Sequence, residues 1–273
     1  MKTRVFITGG ASGLGRAIAL RYAREGANVC IGDVNLQQGV LVEQEICKAG
    51  GEGYYVDCDV RLLEDLERVR DDLTARWGGV DIVVNNAGVA SAGSIEDTPM
   101  ADWEWILDIN VLGVVRGCKA FTPLFKQQGA GTFVNIASMA GLMLAPMMDS
   151  YNVSKAGVIA LSETMSQELR GDGIHVSCVC PAFFQTNLTA GMRSVIPGIQ
   201  SNVAKLMKRS TISAENVADD IFRAVQSNSF WVLPHVKERR LYQLKRHAPW
   251  AFDWVMYQGS KRWISKMGAK PRS

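Results

Sequence analysis

Short apolar runs and longer amphipathic stretches alternate along this chain from residue 3 to residue 233. Val5-Phe6-Ile7 begins the series as a strand over residues 3–8. A glycine-rich turn follows, then helix-forming Arg16-Ala17-Ile18-Ala19-Leu20-Arg21-Tyr22-Ala23, then a second strand, Val29-Cys30-Ile31-Gly32-Asp33. The alternation continues with a helix over 36–49, a strand over 53–57, a helix over 62–77 and the strand Val80-Asp81-Ile82-Val83-Val84. Residues 99–128 are expected to form one long helix, 131–137 a strand, 150–170 a helix and 174–179 a strand closed by Pro181. A looser helical stretch over 187–208, a firm helix over 214–226 and the strand Phe230-Trp231-Val232-Leu233 complete the pattern. Seven strands separated by helices predict an α/β fold with a parallel, doubly wound sheet. No repeat, low-complexity segment or linker interrupts it. Residues 1–233 are therefore expected to form one domain, with 234–273 a basic, aromatic-rich helical extension of it.

The first turn, Thr8-Gly9-Gly10-Ala11-Ser12-Gly13-Leu14-Gly15, carries chemistry. A strand, a glycine-rich turn, a helix and a second strand ending in an acid form the dinucleotide-binding arrangement. The glycines permit a sharp turn and let backbone amides approach a pyrophosphate at a helix N-terminus. Gly9, Ser12, Gly13, Leu14 and Gly15 are thus candidate cofactor contacts. Asp33 would accept hydrogen bonds from the adenosine ribose and would repel a 2′-phosphate. Val34 and Asn35 bring no positive charge, so NAD is expected rather than NADP. Asp59 and Val60, after the third strand, could meet the adenine. Asn85-Asn86-Ala87-Gly88 ends the fourth strand, either as a simple turn or as a small-residue floor beneath a cofactor. Asn85 would then tie neighbouring strands, with Asn86, Ala87 and Gly88 as contacts.

Tyr151 and Lys155 are four apart in a predicted helix, so they share one face. A lone pair of this kind is usually a surface feature. Here Ser138 ends the strand thirteen residues earlier and can bring a hydroxyl beside the phenol. A nearby ammonium favours the phenolate, so the Tyr151 pKa is expected to fall from about 10. Such a phenol can exchange a proton with an alcohol or ketone oxygen. Asn110 lies mid-helix, where asparagine fits poorly. It either faces solvent or kinks the helix and binds a water.

Composition narrows the picture. The 47% apolar content of 273 residues suits a sizeable core, and no apolar run approaches a membrane span. The N-terminus enters a strand directly, with no apolar leader, so a cytoplasmic protein is expected. The six cysteines show no CxxC pair and no metal-spaced histidines. They are expected to be reduced, mostly buried thiols. Cys178 and Cys180 would share a strand face as packing residues. Charge is uneven: ten Lys and Arg face two acidic residues between Pro234 and Ser273, although the whole chain carries only +3. That segment also holds Trp250, Phe252, Trp254, Tyr257 and Trp263. It could roof a pocket, form a subunit contact, or lie peripherally on an anionic membrane. No other basic patch supports nucleic-acid binding.

Between Ser138 and Tyr151 stand Met139, Met143, Met147 and Met148. They suit either an adaptable apolar pocket or plain core packing. The loop 182–208 adds Phe183, Phe184, Leu188, Met192, Val195 and Ile196, while Arg193, Lys205 and Lys208 are expected to be solvated. A small hydrophobic alcohol or carbonyl compound is the expected substrate.

Taken together, Thr8-Gly9-x3-Gly13-x-Gly15, Asn85-Asn86-Ala87-Gly88, Asn110, Ser138, Tyr151-x3-Lys155 and Pro181-x4-Thr186 occur in order. The chain resembles a compact, single-domain short-chain dehydrogenase/reductase over residues 1–233. The resemblance implies a Rossmann-like, seven-stranded sheet in the order 3-2-1-4-5-6-7. It also implies an enzyme with Asn110, Ser138, Tyr151 and Lys155 as its catalytic set and no metal. Lys155 would hold the nicotinamide ribose, Ser138 the substrate oxygen and Asn110 a water, while Pro181 and Thr186 would contact the cofactor. Ala182 stands where the family often has glycine. Homodimers or homotetramers through the helices around 100–128 and 150–170 are likewise implied. An acyl-thioester reductase, or a dinucleotide-binding regulator without catalysis, are the alternatives.

Overall fold

The computed structural model describes residues 2–185 and 191–266. Its main sheet has β1 (Arg4–Thr8), β2 (Asn28–Asp33), β3 (Glu52–Asp57), β4 (Ile82–Asn85), β5 (Gly131–Ile136), β6 (Ile174–Val179) and β7 (Trp231–Val232). All seven pair in parallel, in the order β3-β2-β1-β4-β5-β6-β7, as expected. Helices cover both faces, because each parallel connection must cross over the sheet. In β1 the side-chain period of two divides the core. Phe6 joins Cys30, Phe121, Phe125 and Phe133 on one face, while Val5 and Ile7 join Ile18, Ile31, Val217 and Ile221 on the other. The strand order reverses between β1 and β4, which opens a crevice at the carboxyl ends of the strands.

The helices are α1 (Gly13–Ala23), α2 (Leu36–Lys48), α3 (Leu63–Trp77), α4 (Met100–Leu107), α5 (Gly113–Gln128), α6 (Met139–Met143), α7 (Asp149–Glu168), α8 (Ile199–Lys208), α9 (Ala214–Gln226), α10 (Val236–His247) and α11 (Pro249–Lys266). The expected single helix over 99–128 is interrupted. A π-helical turn, Asp108–Leu112, joins α4 to α5. It carries Asn110, which is fully buried and not solvent-facing. Two elements lack a sequence signal altogether. One is the five-residue α6. The other is a parallel two-residue ribbon, Ser91–Ala92 against Arg193–Ser194, which ties the loop before α8 to the loop after β4. Elements this short show no period.

Beyond β7, α10 and α11 pack on the body as a helical pair. Leu241, Tyr242, Leu244, Phe252 and Met256 lie against the core cluster that includes Met139, Leu142 and Met143. Lys245 Nζ donates to the Leu142 carbonyl at 2.6 Å. Met139 and Met143 are therefore core residues, whereas Met148 packs beside Tyr151. Among the described residues no helix is long and apolar enough to cross a membrane.

Candidate active site

A cavity of about 490 Å³ lies along the carboxyl ends of β1, β2 and β4, within the size range of small-molecule sites. Its floor is built by locking two turns together. Thr8 Oγ1 accepts from the amides of Asn86 and Ala87 at 3.0 and 3.1 Å. Asn86 Nδ2 donates to the carbonyls of Thr8 and Gly9 at 2.9 and 3.1 Å. The lock needs glycine at two places. Gly9 has φ +64°, and a Cβ on Gly15 would stand 2.2 Å from the Gly9 carbonyl oxygen. Beneath this floor Asn85 ties strands, as expected. Its Nδ2 donates to Asn135 Oδ1 at 2.9 Å, and Asn135 Nδ2 donates to Ser162 Oγ at 3.0 Å.

Gly9, Ser12, Gly13, Leu14, Asp33, Asp59, Val60, Asn86, Ala87, Gly88, Tyr151, Lys155 and Pro181 all line this cavity. Gly15 does not; it packs the first turn against the start of α1. Thr186 lies outside the described residues, as do Asn187 and Leu188. Asp33 is pre-set by its own loop: its carboxylate accepts from the amides of Ala11 and Asn35, each at 3.0 Å. A glycine-rich cradle, a helix N-terminus and an acid at the end of β2 fit an adenosine dinucleotide.

Tyr151 and Lys155 sit in the first turns of α7, both buried. Lys155 Nζ donates to the Ile136 carbonyl at 2.8 Å and stands 5.9 Å from the centre of the Tyr151 ring. Ser138 caps α6, its Oγ accepting from the Ala140 amide at 3.1 Å and donating to the Pro181 carbonyl at 3.2 Å. Asn110 closes the group from behind. Its side chain bonds both the amide and the carbonyl of Val89, at 2.8 and 2.9 Å, and donates to Ser154 Oγ at 3.0 Å. The poor helix former thus holds the loop after β4 against α7.

The protonation balance differs from the sequence expectation. Burial pushes the Tyr151 phenol up to about 12, with its hydrogen bond to Ser138 pulling the other way. Burial also pushes the Lys155 ammonium down to about 8. Desolvation disfavours both charged forms, and on the phenol it outweighs the hydrogen bond to Ser138.

Arg61 and Trp105 are among the cavity residues that escaped sequence reasoning. Arg61 follows Asp59-Val60, and its guanidinium is paired with Asp59 at 2.5 Å. Trp105 projects from α4 into the cavity lining. Arg193, solvent-exposed as expected, also stacks over Trp105 at 4.0 Å and pairs with Asp102 at 3.1 Å. The only hint was the aromatic density of Trp103 and Trp105. Nothing local to Arg193 shows that the ribbon brings it there.

This fold and site define a Rossmann-type dinucleotide-binding protein with a buried tyrosine–lysine pair. Residues 3–196 match the short chain dehydrogenase family model, and the chain belongs to that family. It is 34% identical over 233 residues to the "Probable oxidoreductase EphD" of Mycobacterium tuberculosis (strain ATCC 25618 / H37Rv), covering 82% of this chain and only 39% of that relative's length. It is 31% identical over 249 residues to the "CLA biosynthesis dehydrogenase/reductase" of Lactiplantibacillus plantarum, with 85% and 87% of the two chains covered. Among solved structures it resembles a short chain dehydrogenase/reductase from Burkholderia phymatum in complex with NAD. That likeness has TM-score 0.85 at 27% identity and covers 100% and 97% of the two chains.

Proposed function

We propose that this protein is an NAD-dependent oxidoreductase that interconverts a hydrophobic alcohol and its ketone or aldehyde. One observation carries the reading: the buried Tyr151–Lys155 pair opens onto the same cavity as the glycine turn and Asp33. Gly9, Ser12, Gly13, Leu14, Asn86, Ala87 and Gly88 would cradle the dinucleotide, and Asp33 its adenosine ribose. When bound, its nicotinamide supplies hydride exchange with the substrate carbon. Tyr151 exchanges a proton with the substrate oxygen, and Ser138 donates a hydrogen bond that holds that oxygen. Near neutral pH Lys155 keeps most of its positive charge beside the phenol, and Asn110 positions the loop carrying Val89. Thr186 is proposed as a further cofactor contact on the strength of its motif alone.

The substrate class follows from the lining. Val89, Trp105, Ile136 and Phe184 are apolar walls, and among the described residues the only cavity cations are Lys155 and the Asp59-paired Arg61. Neither is placed to clamp a carboxylate or phosphate on a substrate. Arg61 does not favour a 2′-phosphate, because Asp59 already neutralises it while Asp33 repels one.

A panel of hydrophobic and polar alcohols, assayed with both cofactors, tests this reading. Hydrophobic secondary or primary alcohols are expected to turn over, with kcat/KM about a hundredfold higher for NAD than for NADP, since a juxtaposed like charge costs several kcal/mol. Asp33→Ala should narrow that ratio at least tenfold. A preference for NADP, or for small polyols, overturns the assignment.

The pH dependence has a definite sign. A phenol pushed up to about 12 is protonated at neutral pH, so it is ready to donate in carbonyl reduction. Alcohol oxidation instead needs the phenolate, whose fraction grows with pH below the pKa. Oxidation rates should therefore climb between about pH 7 and 10 while reduction stays level across neutrality. An oxidation rate that falls over this range would contradict Tyr151 as the base.

A further inference from the structure

On the inward side of α11, Phe252 and Met256, one turn apart, pack on the core. Its outward side is exposed. Trp250, Trp254 and Tyr257 follow the i, i+4, i+7 spacing of a single helix face. They are 78%, 66% and 58% exposed. Placing Trp250 and Trp254 in water, opposite a face that already anchors the helix, does nothing for folding.

Immediately before this helix, α10 presents Lys237, Arg239, Arg240 and Arg246 to solvent. Among the described residues none of these four takes part in an ion pair. Their charges are uncommitted within the fold. Arg246 is only four residues from Trp250 along the chain, at the junction of the two helices.

We propose that this face seats the protein on the surface of an anionic lipid bilayer. Amphipathic tryptophan and tyrosine rings suit the headgroup boundary, and lysine and arginine are drawn to its negative potential. A second copy of the chain fits worse. Two such faces would oppose like charges. The three aromatic side chains expose only on the order of 450 Å², against about 800 Å² per partner in a stable complex. The seat has a functional consequence if the substrate is hydrophobic, as proposed above. The same extension clamps α6, which Ser138 caps, so the cavity would sit close to the lipid.

The test uses the full chain and vesicles of phosphatidylcholine with or without 30% phosphatidylglycerol (about one anionic lipid in three, a typical acidic surface). Co-sedimentation is expected with the anionic vesicles only, weakening as salt rises. Brominated anionic lipid should quench part of the tryptophan fluorescence. Trp250→Ser/Trp254→Ser should lower vesicle partition at least tenfold and remove that quenching. Arg239→Glu/Arg240→Glu should lower it by a similar factor, about fivefold or more per charge. Turnover of a water-soluble alcohol should be unchanged in both double variants, which separates this proposal from the catalytic reading. No binding to anionic vesicles at low salt overturns it. So does a change from oligomer to smaller species by light scattering in the tryptophan variant, which would make the face a subunit contact. Equal or tighter binding to a single-stranded oligonucleotide would overturn it as well.

Discussion

Tyr151→Phe is expected to lower kcat for alcohol oxidation by about three to four orders of magnitude, the upper range for a positioned acid/base group. NADH affinity should stay within about twofold. The substitution removes one oxygen and keeps the ring, which is packed with Ala90, Ala92 and Met148, so the fold has no cause to change. Ser138 would retain its bonds to Ala140 and Pro181, and Lys155 its bond to Ile136. Steady-state turnover with fluorescence titration of NADH separates the two effects. Near-normal turnover would remove Tyr151 from the chemistry and leave the cavity a binding site. Loss of NADH binding in step with turnover would instead show that the phenol serves the cofactor.

The second large effect is steric. Gly15→Val would put a Cβ 2.2 Å from the Gly9 carbonyl oxygen and 2.6 Å from Asn86 Nδ2. Both atoms belong to the lock between the turns after β1 and β4, so neither can yield without moving the cavity floor. A loss of about 1–3 kcal/mol in stability is expected from such overpacking, with NADH affinity falling at least a hundredfold. Thermal melts with and without NADH would show both effects. Gly171→Ala is the matching control, since a Cβ there meets nothing within 4 Å. A Gly15→Val protein that binds NADH normally would refute the tight fit between turn and helix.

Much of the site was legible before any coordinates, because its parts are local in sequence. The glycine turn announces itself between a strand and a helix. Asp33 is placed by the end of β2, and Tyr151 and Lys155 are aligned by one turn of α7. Asn85 could be assigned to strand-tying from its position at the end of a buried strand. Asn110 was ambiguous. A helix-disfavoured residue signals a disturbance but not which way it faces. Only the π-helical turn and its bonds to Val89 and Ser154 show that it is buried and holds the next loop. Arg61, Trp105 and Arg193 were illegible for a different reason. Arg193 pairs with Asp102, 91 residues away, which no period records, and Arg61, two residues from its own partner Asp59, sits in a turn that has no period at all. The methionines between Ser138 and Tyr151 could be sorted only by packing: two face the core under α10 and α11, and one lies beside the phenol.

The sequence by itself determined the alternation of strands and helices, the placement of the glycine turn and the alignment of a phenol with an ammonium. These follow from periodicity and steric limits acting over a few residues. Only the tertiary structure decided how those groups hold their protons and which aromatic side chains of the last helix are exposed. Desolvation and exposure depend on everything that surrounds a side chain, most of it contributed by distant parts of the chain.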